Sequence, residues 1–235
     1  MRVAVIDPFS GASGDMLLGA LIDVGLAVDE VAMRLAASLD LAGYRIVAET
    51  VVRQGLRGTR VQVAVESDQP SRDWAEIRTL LHESALPPRV KERALTVFQR
   101  LAEAEARVHG VPVERVHFHE VGAVDSIVDI VGVVWGFELL GVEAIACGPL
   151  PLSRGWVETA HGKLPVPAPA TAALLAEAAV PTVPLDIEAE LVTPTGAALL
   201  VTLARFERPA FRPERVGYGF GTRELPWPNA LRLWI

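Results

Sequence analysis

A chain of 235 residues that is 51% hydrophobic and 22% charged can close a sizeable core, hiding roughly 70% of its unfolded surface, which excludes disorder as the dominant state. Its net charge of −7 argues against a general nucleic-acid binder, which needs a basic face. The single cysteine, Cys147, cannot build a disulfide framework or a multi-thiolate zinc site.

In chain order, residues 2–6 form a short apolar strand ending at Asp7, so no targeting segment is visible. A glycine loop over 7–15 leads into an apolar helix that runs to Val24, with Gly25 as its stop. Residues 44–66 alternate as two strands around a turn at 54–58. A polar connector over 67–72 precedes two helices. In the second, Val90, Ala94, Val97, Leu101, Ala104 and Val108 make one apolar face, ended by Gly110 and Pro112.

A strand at 115–119, a helix at 124–140 and a strand at 142–147 then read as a right-handed crossover. The helix carries Asp129 and Glu138, which leaves it short of the ~18 uncharged residues a membrane span requires. Residues 148–170 read as a long Pro/Gly-rich loop, followed by helices at 171–179 and 194–206. The second of these has Thr193 as N-cap and Pro194 at the first helical position. The glycine run 217–223 and an edge-like strand at 230–235 close the chain. The predicted fold is α/β, a mixed sheet with several covering helices in one domain over 1–235, and the expected location is the cytoplasm.

The densest chemistry lies between His117 and Asp129. Strand geometry sends His117 and His119 to one face, and helical spacing puts Asp125 and Asp129 on one face. Two carboxylates at that spacing repel each other, and a divalent cation between them reverses the sign. Helix-dipole stabilisation, or Asp125 acting as an N-cap, accounts for the acids without a metal. Imidazole and oxygen donors with no thiolate suit Ni, Zn, Mn or Fe(II). Further along the helix, Gly132 and Gly136 allow a backbone or a ligand to approach closely.

The loop with Ser10, Gly11, Ser13 and Gly14 opens a helix and suits a phosphate, although a tight structural turn explains it equally. Asp15 in the first helical turn would repel an anion unless a metal bridges the two. Asp7 sits where ligands bind in open α/β sheets, or forms a turn. Thr195 and Gly196 present a hydroxyl and an N–H at a helix start, where capping is the competing role. Arg223 could clamp an anion wrapped by its glycine run, which reads alternatively as a bulged strand. His161 lies in the long loop. His82 and His109 read as ordinary surface or helix-end residues, and Cys147 as a buried small hydrophobe.

Five blocks in order carry a resemblance: FSGASGDM at 9–16, HFHEVGAVDSIVDIVG at 117–132, HGKLPVPAPAT at 161–171, ELVTPTGAALL at 190–200 and GYGFGTR at 217–223. Together they resemble the nickel insertion protein family of nickel-pincer nucleotide biosynthesis. The resemblance implies a lyase- or chelatase-like enzyme that places nickel in a pyridinium bisthiocarboxylic acid mononucleotide, forming the carbon–nickel and sulfur–nickel bonds of the lactate racemase cofactor. It also implies CTP, with manganese or magnesium, cleaved to CMP and diphosphate. Complete family members continue into a C-terminal CTP-binding domain, so this chain resembles the N-terminal half, with its other half in the same or a separate chain.

Carried onto matching positions, the resemblance points to His117, His119, Glu120, Asp125, Asp129, Asp15 and His161. Their chemistry assigns His117, His119, Asp125, Asp129 and Asp15 to metal and Glu120 or His161 to the base that removes a ring proton. The substrate phosphate falls to Ser10, Gly11, Ser13, Gly14, Thr195, Gly196 or Arg223. No nucleic-acid or membrane partner is expected, and a homo-oligomer is compatible. Two other functions compete. One is a metal- or substrate-binding module, inactive unless joined to its C-terminal half. The other is a metal-dependent hydrolase, whose His-x-His pair would open the first strand of a ~250-residue barrel rather than fall at mid-chain.

Overall fold

The computed structural model describes residues 1–66, 71–118 and 121–235. Strand β1 (Val3–Asp7) leads through the glycine loop into α1 (Gly14–Asp23), and α2 (Val28–Ser38) follows. A hairpin of β2 (Tyr44–Arg53) and β3 (Leu56–Val65) comes next, then α3 (Trp74–Glu83), α4 (Pro88–His109) and α5 (Val124–Leu139). The chain continues through β4 (Ala144–Cys147), β5 (Leu150–Arg154), β6 (Trp156–Thr159), β7 (Gly162–Pro165), α6 (Pro169–Glu177) and β8 (Thr182–Glu188). It closes with α7 (Pro194–Leu203), β9 (Arg205–Phe206), β10 (Val216–Phe220) and β11 (Ala230–Trp234).

Seven strands form one mixed sheet in the order β2-β3-β10-β11-β1-β4-β9. β4 lies parallel to both β1 and β9, β3 parallel to β10, and the remaining pairs are antiparallel. This open mixed sheet differs from the closed parallel barrel of the hydrolase alternative. α1 lies on β3, β10 and β11, α5 packs on α1, and α4 packs on α5, α6 and α7.

Local chemistry explains most element ends. Gln54 and Gly55 both have positive φ, the geometry of a two-residue turn matched to strand twist, so the hairpin turn is tighter than 54–58. Asp73 and Glu76 form a reciprocal capping box at the start of α3. Gly110 ends α4 in the left-handed region. On α4 the predicted face is buried from Val90 to Ala104, and Val108 is exposed. α5 is buried nearly all round, as a helix enclosed by other elements must be.

The contact between α1 and the sheet depends on glycine. A Cβ on Gly219 would stand 1.7 Å from the Met16 carbonyl oxygen and 2.5 Å from the Ala20 nitrogen. One on Gly217 would stand 2.7 Å from Val24, and one on Gly19 would stand 2.8 Å from the Thr59 carbonyl. Residues two apart on a strand share a face. β10 therefore offers α1 a bare backbone, and Gly217 and Gly219 form a helix seat on a regular strand. Gly136 does the same on α5, where a Cβ would stand 2.9 Å from Leu26 and 3.0 Å from Leu21, whereas one on Gly132 would meet Leu18 only at an ordinary 3.4 Å.

Four expectations are corrected. No strand spans the described part of 115–119: a 3-10 turn at Val113–Arg115 is followed by a single bridge from His117 to Asp73. The predicted crossover through it is therefore absent, and β4 has β1 and β9 as its parallel neighbours. Segment 148–170 is not one long loop. It holds β5, which pairs with β8, and a β6–β7 hairpin. Two of its five prolines, Pro151 and Pro165, sit in two-stranded ribbons, where a missing N–H is tolerated. β11 is interior, between β10 and β1, rather than an edge. α7 stops at Leu203, and Arg205–Phe206 turns out to pair with β4.

Candidate functional site

Three helices begin at one cavity of about 390 Å³. α1 contributes Ser13, Gly14 and Asp15, α5 contributes Asp125, Ser126 and Asp129, and α7 contributes Thr193, Pro194 and Thr195. Val61, Gln62 and Val63 of β3 form one wall, and Glu190 and Thr222 also line it. Each helix start carries unpaired N–H groups and partial positive charge, which favours anions. The side chains facing this positive end are carboxylates.

Those carboxylates are crowded. Burial, with the charges of Asp15 and Asp125 adding to it, raises the Asp129 carboxyl well above the ordinary range. Asp129 Oδ1 is buried with no hydrogen-bond partner. Gly14 leaves room for this side chain, since a Cβ there would stand 2.7 Å from the Asp129 Cβ and Oδ2. Asp15 is also raised, mainly by burial and further by Asp125, although the Ser13 hydroxyl and backbone N–H groups oppose the shift. The Ser13 hydroxyl donates to Asp15 Oδ1, and Asp125 Oδ1 accepts from the Ser126 N–H at 2.7 Å. Asp125 is the second residue of α5 and Ala123 is its N-cap, so the capping alternative does not account for Asp125. An orphaned buried acceptor among three acids is a costly arrangement that a cation relieves.

Among the described residues, no three His, Cys, Asp or Glu side chains are placed to hold a metal ion unaided. The donor set instead fits a hard divalent cation such as magnesium or manganese, held by one or two carboxylates and completed by water and a ligand phosphate.

The other expected site residues distribute as follows. His117 is exposed and is not among the residues that line this cavity. His119 and Glu120 lie outside the described residues. Ser10 is buried, donating to Asn229 Oδ1 and accepting from Trp227 Nε1, so it ties the glycine loop to the C-terminal segment. The Gly11 N–H already donates to the Pro8 carbonyl, and a Cβ there would meet the Leu191 carbonyl oxygen at 2.1 Å. The Gly196 N–H donates to the Thr193 hydroxyl, which caps α7, while Thr195 reaches the cavity. Arg223 lies 3.7 Å from Glu190 in an ion pair beside the cavity. Asp7 pairs with Arg232 across the sheet. Cys147 is buried and its thiol is pushed far up by burial, as expected of a packing residue.

His161 sits at the β6–β7 turn in a neighbouring cavity that also contains Glu105 and His109, and the two cavities share Val121 and Pro194 as wall. Sequence reasoning missed Glu190, Thr222, Glu105 and His109, which reach these cavities only through tertiary packing. No helix among the described residues is long and apolar enough to cross a membrane.

Residues 4–235 match the family model described as nickel insertion protein. A relative from Thermomicrobium roseum, named for nickel insertion, is 80% identical over 235 residues, covering 100% of this chain and 58% of that protein. A second, from Roseiflexus castenholzii, is 51% identical over 234 residues, covering 100% of this chain and 59% of the relative. The pyridinium-3,5-bisthiocarboxylic acid mononucleotide nickel insertion protein of Desulfitobacterium hafniense is 49% identical over 237 residues, covering 100% of this chain and 58% of that protein. This chain thus spans less than two thirds of the length of these curated relatives. No solved structure matches it. With the match extending over nearly every residue, the chain belongs to the nickel insertion protein family.

Proposed function

We propose that the chain is the substrate-holding part of an enzyme that inserts nickel into a pyridinium-3,5-bisthiocarboxylic acid mononucleotide, the substrate in the printed name of the Desulfitobacterium relative. The product is the nickel-pincer cofactor of lactate racemase, and the activity is lyase- or chelatase-like. The observation that carries the reading is the meeting of three helix N-termini with three aspartates around one cavity. Such a site suits an anionic ligand and a cation together, and the substrate has a phosphate and two thiocarboxylates. Magnesium or manganese held by Asp15 and Asp125 would neutralise the phosphate.

Nickel is the cargo. Forming the carbon–nickel bond replaces a ring C–H bond and releases one proton, which needs a base. Asp129 suits this role, because burial and neighbouring charge have raised its basicity. Asp15 orients by its contact with Ser13, and Thr195 offers a hydroxyl to the bound anion. CTP is handled by the additional length that the relatives carry, in the same or a separate chain, and a CTP-dependent reaction belongs in the cytoplasm. The fraction of the relatives spanned here favours a second form of the reading, in which this part binds but turns over only when joined to the rest.

The test is nickel insertion with the mononucleotide, nickel, CTP and magnesium or manganese, using this chain with and without the remaining portion of a relative. Turnover is expected in the joined protein, with at least about a hundredfold loss in Asp129→Asn, the scale of general base catalysis. Wild-type turnover in Asp129→Asn and Asp15→Asn would overturn the assignment.

A further inference from the structure

We infer that two copies of this chain associate about a two-fold axis through strand β2, joining their sheets edge to edge. The surface is separate from the carboxylate cavity, which no residue of β2 lines. The seven-stranded sheet ends at β9 on one side and at β2 on the other, and the two edges differ. β9 is only two residues long, one of the ways a sheet avoids recruiting a further strand. β2 has ten residues, paired with β3 in unbroken register from end to end, so it carries no bulge. Nor does it contain proline or lysine, which commonly blunt an edge.

In an antiparallel pair, residues bonded to the partner alternate with residues whose N–H and C=O point the other way. The Glu66 N–H donates to the Gly43 carbonyl at 2.8 Å. That bond fixes the phase, so the odd-numbered residues of β2 bond to β3. Tyr44, Ile46, Ala48, Thr50 and Val52 therefore send their backbone groups to the open side, over about 27 Å of strand. None of these groups has a hydrogen-bond partner among the described residues. Such a row of donors and acceptors is a template for another strand.

The charges say which strand fits. Arg45, Val47, Glu49 and Val51 share one face of β2. Arg45 is exposed and makes no ion pair among the described residues, whereas Arg53 donates to the Gly221 carbonyl at 3.0 Å. Glu49 accepts from Arg60 of β3 at 2.9 Å through Oε2, and its Oε1 makes no bond among the described residues. A second copy laid antiparallel with Val47 on the axis puts Arg45 opposite Glu49 twice. Tyr44 with Thr50, and Ile46 with Ala48, then become the hydrogen-bonded partners, and Arg45 meets Glu49 in non-hydrogen-bonded pairs, where side chains stand closest. A slide of two residues keeps the backbone bonding but sets Arg45 opposite a valine. A slide of four in one direction sets Glu49 against Glu49 and Arg45 against Arg53, so the charges select one register. The same strand serves both sides and the opposite edge is short, so assembly closes at two copies.

Sedimentation velocity and light scattering on the untagged chain, over a range of concentrations, test this. The wild type is expected to move reversibly from 25.2 kDa towards twice that mass as concentration rises. Ala48→Pro removes an N–H that faces away from β3, a position where an edge strand tolerates proline, and it obstructs the incoming strand. Arg45→Glu sets acidic side chains against each other without breaking an ion pair within the chain. Each is expected to weaken the dimer at least about tenfold. Arg45→Glu should leave the melting of dilute protein unchanged, which separates lost association from lost folding. Combining Arg45→Glu with Glu49→Arg should restore the dimer that either change alone weakens. A wild type that stays at 25.2 kDa up to its solubility limit would overturn the inference, as would a dimer that survives both Ala48→Pro and Arg45→Glu. A relative's remaining portion that binds a strictly monomeric chain, and is released by Ala48→Pro, would overturn it too and give the edge to that occupant.

Discussion

Replacing Gly219 by alanine tests whether the glycine run of β10 is a helix seat or a ligand loop. The new Cβ would stand 1.7 Å from the Met16 carbonyl oxygen and 2.5 Å from the Ala20 nitrogen, whereas ordinary contact begins at 3.4 Å. Both obstructing atoms are backbone, so no rotamer change relieves them and α1 must lift from the sheet by roughly 1.5 Å or more. α1 buries Met16, Leu17, Leu18 and Leu21, and overpacking against a rigid neighbour costs about 1–3 kcal/mol before any of that burial is lost. The expected loss is about 3 kcal/mol or more, which in a domain of this size lowers the melting temperature by about 6–12 °C. Magnesium affinity should fall as well, because the first turn of α1 carries Asp15, although residue 219 lines no part of the cavity. Urea denaturation and calorimetric melting measure the effect. A loss below about 1 kcal/mol, or weakened ligand binding at unchanged stability, would refute the packing argument in favour of a loop.

The matched substitution Gly132→Ala should behave oppositely. Its Cβ meets Leu18 methyl carbons at 3.4 and 3.5 Å, and alanine is favoured over glycine inside a helix by roughly 0.5–1 kcal/mol, so the urea midpoint should rise. Stability of the metal-free chain should also carry a pH signature from Asp15 and Asp129. Their folded carboxyls are raised above the ordinary 3.8, so their contribution is full below that pH and is lost as pH rises through the folded values. Melting in chelator should therefore show Asp129→Asn gaining on the wild type as pH climbs from about 4 towards neutrality, and magnesium should close the gap; a constant difference across that range contradicts the assignment.

How much could be read from residues alone depended on whether the cause was local. The strand-to-helix entry at Gly14, the hairpin around Gln54–Gly55, the long face of α4 and the Thr193 cap are set by neighbours in sequence, and all were legible. So was the pairing of Asp125 with Asp129, one helical turn apart. Asp15 joins them only because α5 packs on α1, which spacing does not encode. Glu190 reaches the cavity, and His109 reaches His161, through contacts between distant elements. The alternating glycines of β10 did carry a readable signal, because period two on a strand leaves one face bare. Of the two readings of that run, the strand is the one the backbone takes over Val216–Phe220, and its bare face meets a helix. Around 148–170, proline content masked strands whose ribbons have only two members.

The interior place of β11 has a consequence for biosynthesis. β1 is made well before its antiparallel neighbour, Ala230–Trp234, which lies more than two hundred residues further along the chain. At about 5–20 residues per second, on the order of ten to forty seconds separate them on the ribosome. Through that interval the edge of Val5–Asp7 that β11 will pair is open, and α1 can close on β3 and α5 but not on β10 or β11. The nascent chain therefore depends on a holding factor, or on delayed collapse, and chaperone depletion should lower its soluble yield more than that of a protein whose sheet is completed in order of synthesis.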